Sequence, residues 1–179
     1  MRALALLLVA LAGCADAPSP AVEAPAPPAS AATSAATLGT IGRSLDGAEA
    51  GQLVYVPAYS HVFSGDGERD LLLTATLSVR NADPTRPIRL AGVRYVGSAG
   101  QTIRSYVEAP QTLGPLATAS FVVAESDRAG GVGASFLVEW TGDGAAVPPV
   151  VQAVMISTAG QQGISFVTDG RVIAEAAQP

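Results

Sequence analysis

The chain of 179 residues carries ten basic residues, every one an arginine, against fifteen acids, for a formal charge of −5. An acidic chain with no basic stripe excludes nucleic-acid binding, and the absence of lysine excludes P-loop and Schiff-base chemistry. A single histidine and a single cysteine exclude zinc sites built from several such ligands.

The N-terminus reads MRALALLLVALAGCAD. Arg2 precedes an apolar run over residues 3–12, and small residues follow, the pattern of a secretory signal. The run is too short to cross a bilayer, which takes about 20 apolar residues. Leu11, Ala12, Gly13 and Cys14 resemble the lipobox of bacterial lipoproteins. That resemblance implies that residues 1–13 are a signal peptide cut after Gly13, and that Cys14 is acylated and holds the chain to a membrane. Ala15, where an aspartate would retain the protein at the inner membrane, points to the periplasmic side of the outer membrane in a Gram-negative cell. The alternative is an ordinary secretory cut near Ala12 or Ala15, with Cys14 incidental. Lipidation would leave the mature domain no thiol for a disulfide. Its nine remaining arginines against fifteen acids leave a charge of −6.

Residues 14–37 are rich in Pro, Ala and Ser. They lack the apolar surface to order themselves and read as a semi-extended tether. Residues 38–52 are transitional. Residues 53–175 form the folded domain, long enough for one core.

That domain opens with VYVPAYSHVFSGDG. Alternation assigns Val54, Val56 and Val62 to the core and leaves Tyr55, Tyr59, His61 and Phe63 as a candidate contact surface. Burial of that surface under residues 38–52 is an equal alternative. Pro57 has no N–H for a ladder, which predicts an edge strand or two short strands around a kink. In SGDGERD, Asp66, Glu68 and Asp70 alternate, and with His61 they are the candidate metal ligands. A calcium loop would need a glycine where Leu71 stands and a closing acid, so a solvated turn is the expected reading.

LLLTATLSVR alternates cleanly, with Leu71, Leu73, Ala75, Leu77 and Val79 on one face, and NADPTRP ends it. PIRLAGVRYV changes phase at Ala91-Gly92, which predicts a bulge. TIRSYVE and LATASFVVAE follow as strands. VGASFLVEWT turns Phe136, Val138 and Trp140 inward, Ser135 and Glu139 outward. VVQAVMIST, which contains Met155, is apolar on both parities and predicts a central strand covered on both sides. GISFV and RVIAE flank Asp169-Gly170, a hairpin signal. Arg80 and Arg94 are expected to pair with Glu125, Asp127 or Glu139, or else to contact an anion on a partner.

Eight or nine short strands and no helix predict an all-β, antiparallel immunoglobulin-like β-sandwich, with a small β-barrel as alternative. The segments VYVPAYSHVF, LTATLSVRNAD, PLATASFVV, GASFLVEW, PPVVQAVMI and QGISF, in this order, resemble the bacterial family known as domain of unknown function 3124, from Val54 to about Ile173. The resemblance implies small, exported, often lipidated proteins and carries no activity.

No G-x-S-x-G elbow accompanies His61, and alternation places Ser60 on the face opposite it. The expectation is a non-enzymatic binding, adaptor or structural module in the cell envelope. It has a lipid anchor, a possible envelope protein partner and no cofactor. The alternative is an envelope hydrolase or metal-binding protein using His61 and the nearby carboxylates.

Overall fold

The computed structural model describes Leu45, residues 48–159 and residues 163–176. The signal peptide, Cys14, the tether and most of residues 38–52 lie outside the described residues.

Twelve strands form within them: β1 (Ala50–Pro57), β2 (His61–Ser64), β3 (Arg69–Leu72), β4 (Thr74–Arg80), β5 (Ile88–Val96), β6 (Thr102–Val107), β7 (Gln111–Leu113), β8 (Thr118–Val123), β9 (Ser135–Gly142), β10 (Val150–Ser157), β11 (Ile164–Asp169) and β12 (Arg171–Glu175). The excess over eight or nine comes from short pieces. The apolar run from Leu71 is split at Leu73 between β3 and β4, and β7 is only three residues long.

One sheet has the order β12-β1-β9-β5, with β6 and β7 sharing the far side of β5; the other is β11-β10-β4-β8, and β2-β3 is a separate ribbon. All pairings are antiparallel. The sheets do not close into a barrel, so the sandwich holds and the barrel alternative falls. The β4–β5, β7–β8, β8–β9, β9–β10 and β11–β12 links each pass from one sheet to the other.

Side chains from both inner faces make the core. β4 contributes Ala75, Leu77 and Val79, β9 contributes Phe136, Val138 and Trp140, and β5 contributes Ile88, Leu90, Val93 and Tyr95. The phase change in β5 is a bulge: its register against β9 shifts between Leu90 and Gly92. β6 carries two further shifts against β5, so Ile103, Tyr106 and Val107 all reach the core despite mixed parity. A smaller cluster of Leu45, Leu53, Val96 and Leu137, with Tyr55 against it, lies apart from the main core.

Three expectations are corrected. β10 is central in its sheet but covered on one face only: Val151, Ala153 and Met155 are buried, whereas Val150 and Ile156 are exposed. β-Branched residues suit an exposed strand as well as a buried one, which imitates double burial in the sequence. β1 is not an edge, since it runs between β12 and β9; the kink after Pro57 is what forms. Asp169-Gly170 is not a hairpin, because β11 pairs with β10 and β12 with β1. Gly170 lets the chain change sheets at close quarters: its N–H donates to the Val151 carbonyl at 2.8 Å, and a Cβ there would lie 2.6 Å from Val54 Cγ1.

Candidate functional site

Pro57 decides the local geometry around the single histidine. β9 pairs with β1 as far as Pro57, but β12 stops at Tyr55, and the Pro57 carbonyl accepts from Thr168 Oγ1 at 2.6 Å. Beyond it the chain leaves the sheet. Ala58 N donates to Ala134 O at 2.9 Å, Ser60 N to Gly131 O at 3.2 Å, and Leu73 N to Ser60 O at 2.9 Å. Residues 58–60 are thereby strung between the glycine loop at 130–133 and the start of β4.

Because residues 58–60 are not a strand, alternation fails there and Ser60 is brought to His61. Ser60 Oγ lies 3.2 Å from His61 Nδ1. The same oxygen accepts from Gly131 N at 2.9 Å, and its hydroxyl is 3.3 Å from the Gly131 carbonyl. Ser60 is fully buried. Ser98 fastens the other side of the loop, donating to Gly130 O at 2.8 Å and accepting from Gly133 N at 2.9 Å. Gly131 has a φ of 75°, a conformation that favours glycine.

Tyr95 sits beneath this loop with no solvent exposure, and its hydroxyl has no hydrogen-bond partner. A Cβ on Gly130 would fall on that phenol oxygen, so glycine is required for the loop to close. Burial, reinforced by the charge of Asp127, pushes the Tyr95 phenol up to about 12. Ser60 beside it tempers the rise without a bond of hydrogen-bonding geometry.

The β2-β3 ribbon carries His61 and Phe63 on one face, their rings 5.8 Å apart and edge to face. Phe63 is 59% exposed. Asp70, register partner of Phe63, forms an ion pair with Arg128 from the glycine-loop segment. Arg104 joins Asp127 of that segment at 3.1 Å, and Asp127 in turn accepts from Ala129 N at 3.0 Å.

The four residues of the candidate contact surface are thus parted by the kink. His61 and Phe63 come together, whereas Tyr55 packs on the small cluster and Tyr59 lies edge-on to Phe166 at 5.8 Å against the main core. Asp66 and Glu68 are exposed in the β2–β3 turn. Among the described residues no group of three His, Cys, Asp or Glu side chains is placed to hold a metal. Cys14 lies outside the described residues.

Arg80 is exposed and reaches Ser78 Oγ at 3.1 Å and Gln152 Oε1 at 3.3 Å, not an acid. Arg94 and Glu139 both reach the bulge, where Arg94 Nη2 and Glu139 Oε2 lie 3.7 and 3.6 Å from where a Cβ on Gly92 would stand. Glu139, expected to face solvent, is buried on the outer side of its sheet.

At the other end of the sandwich, Asn81 and Asp83 form a buried polar hub that alternation does not reveal. Asn81 Nδ2 donates to the carbonyls of Arg86, Leu113 and Gly114. Asp83 Oδ1 accepts from Thr85 N and Arg86 N at 2.8 Å each, and Oδ2 from Val147 N at 3.2 Å. These donors, led by Thr85 N, hold the Asp83 carboxyl well below the usual carboxylate range. The available signal was Asn-x-Asp ahead of Pro84, an Asx-turn pattern. Near this end a cavity of about 200 Å³ is lined by Glu49, Gln52, Trp140, Pro148 and Glu175 among others. Trp140 Nε1 donates to Gln52 Oε1 at 3.3 Å.

A profile described as "Protein of unknown function (DUF3124)" matches residues 51–173. The chain belongs to this family. The DUF3124 match takes in both sheets and the ribbon, hence both ends just described. No curated protein matches the chain. The solved structure of Thermotoga maritima 1070 is similar with a TM-score of 0.42 at 9% identity, over 67% of this chain and 92% of that one.

Proposed function

We propose that this DUF3124 protein is a lipid-anchored component of the cell envelope, held by Cys14 on the periplasmic side of the outer membrane, whose sandwich is a non-enzymatic binding module for an envelope protein. The anchor rests on the lipobox resemblance. At about 0.8 kcal/mol per buried CH₂, several acyl chains attach a protein to a bilayer almost permanently. The observation that carries the binding reading is Phe63, a large exposed ring set edge to face with His61 beside the Arg128–Asp70 pair. Aromatic rings and arginines are what interface anchor points are made of.

Two measurements test this. Cys14→Ser should release the folded chain from the membrane fraction, and stable membrane attachment of that variant would end the anchor argument. A photo-crosslinking residue at position 63 should yield a discrete adduct in cells that weakens in Arg128→Ala. Diffuse or absent adducts would remove the contact surface.

A second reading, an envelope hydrolase or metal-binding protein using His61 and nearby carboxylates, draws on the approach of Ser60 Oγ to His61 Nδ1. Ser60 lies under the glycine loop, so a nucleophile there meets substrate only when the loop opens. Covalent labelling of Ser60 by an activated phosphonate, or a stoichiometric metal lost in His61→Ala, would favour it.

A further inference from the structure

We propose that two copies of this chain join edge to edge through β12, whose sequence Arg-Val-Ile-Ala-Glu is self-complementary when paired antiparallel with itself. β12 ends its sheet, with β1 on one side and no further strand on the other among the described residues. All five of its residues are exposed, Val172 by 41% and Ile173 by 50%. A free strand edge offers unpaired N–H and C=O groups to another strand. This edge has neither the proline nor the lysine that commonly blocks such pairing.

A two-fold axis through Ile173 sets that residue against the partner's Ile173 and Val172 against the partner's Ala174. Arg171 then faces the partner's Glu175, and Glu175 faces the partner's Arg171. Opposite charges meet at both ends and apolar residues fill the middle, a favourable cross-strand pattern. Arg171 has no ion pair among the described residues. Glu175 Oε1 accepts from Gln52 Nε2 at 3.0 Å, which leaves its second oxygen for the incoming guanidinium. Ile173 is also the residue passed over in the β1 register, where Leu53 faces Ala174 and Val54 faces Val172.

The other sheet edges lack this complementarity. β7 and β8 have no charged residue, the only charge on β6 is Arg104, already paired with Asp127, and the only charge on β11 is Asp169. Charge therefore singles out β12, and it singles out a second copy as the occupant.

The test uses the full mature chain with Ile173→Cys under mild oxidation, with the parent chain as baseline because Cys14 is its only cysteine. Directly opposed residues of antiparallel strands stand about 4.5–5.5 Å apart at Cα, within disulfide reach. A disulfide-linked dimer is expected. Adding Arg171→Glu should cut the linked fraction about tenfold, since both end pairs become repulsive. Adding Glu175→Arg as well should restore it. Circular dichroism melts of these exposed-site variants should match the parent, showing that the fold is intact. Absence of a dimer above baseline, a dimer indifferent to Arg171→Glu, failure of the double reversal to rescue, or linkage of position 173 to other proteins alone would each overturn the proposal.

Discussion

Gly130 packs its bare Cα against the phenol oxygen of Tyr95, a hydroxyl that is fully buried and unpartnered. The glycine loop can close over the core because position 130 has no side chain. Gly130→Ala is therefore expected to destabilise the fold by about 1–3 kcal/mol, the range for forcing atoms into a filled site. Tyr95→Phe removes a polar group whose burial without a partner costs about 1–3 kcal/mol, so it should leave stability unchanged or raise it. Combining the two should be non-additive but should not restore the parent, because the nearest clash goes with the hydroxyl while the ring carbon at 2.5 Å and Ala134 Cβ at 2.8 Å remain. Urea unfolding of the four chains measures this, and simple additivity would disprove the contact.

The same phenol predicts an alkaline limb. Its value is raised from 10.0 to about 12, so the unfolded chain ionises first. The stability contribution is whole below pH 10 and falls as pH rises toward 12. Unfolding midpoints followed across that window should drop less steeply in Tyr95→Phe than in the parent.

Asp83 predicts the acid limb. Its carboxyl is held well below its ordinary value, so its stabilising effect is present above that ordinary value and is lost as pH falls through the depressed one. Asp83→Ala should lower the thermal midpoint by several degrees at pH 7, with the gap from the parent closing steadily below pH 4. A gap independent of pH would show that the hub works through packing and not through the ionised carboxylate.

Ser60→Ala and His61→Ala separate structure from surface. Ser60→Ala leaves the half-buried Gly131 N–H only its longer bond to the Arg128 carbonyl at 3.3 Å, which should cost about 1 kcal/mol and speed hydrogen exchange at Gly131. His61→Ala leaves that bond in place and should have a much smaller effect on both. Equal losses would mean that the imidazole itself secures the loop.

Gly170→Ala probes the crossing between sheets. Its Cβ would stand 2.9 Å from the Val151 carbonyl oxygen as well as against Val54. An expected loss of about 1–3 kcal/mol in thermal or urea unfolding checks this; a neutral outcome would mean that the two sheets shift apart there easily.

Much of the fold was legible in the residues. The alternation of Phe136, Val138 and Trp140 placed β9's inner face, and the phase change at Ala91-Gly92 marked the bulge. Both signals are local, because a strand with one buried face must repeat every two residues. The composition likewise set charge and the lack of lysine chemistry without any structure. What tertiary structure alone decided is which strand meets which, and what lies over each face. Asp169-Gly170 carries a hairpin's residues, yet β11 stays with β10, the strand just before it, while β12 is drawn to β1 in the other sheet, near the start of the described residues. The apolar outer face of β10 promised a covering layer that no element among the described residues supplies. Ser60 reached His61 only because Pro57 ends the ladder and Gly131, 71 residues distant, captures the hydroxyl. Pairing and burial are sums over such non-local contacts, and alternation along one strand records only that strand's own faces.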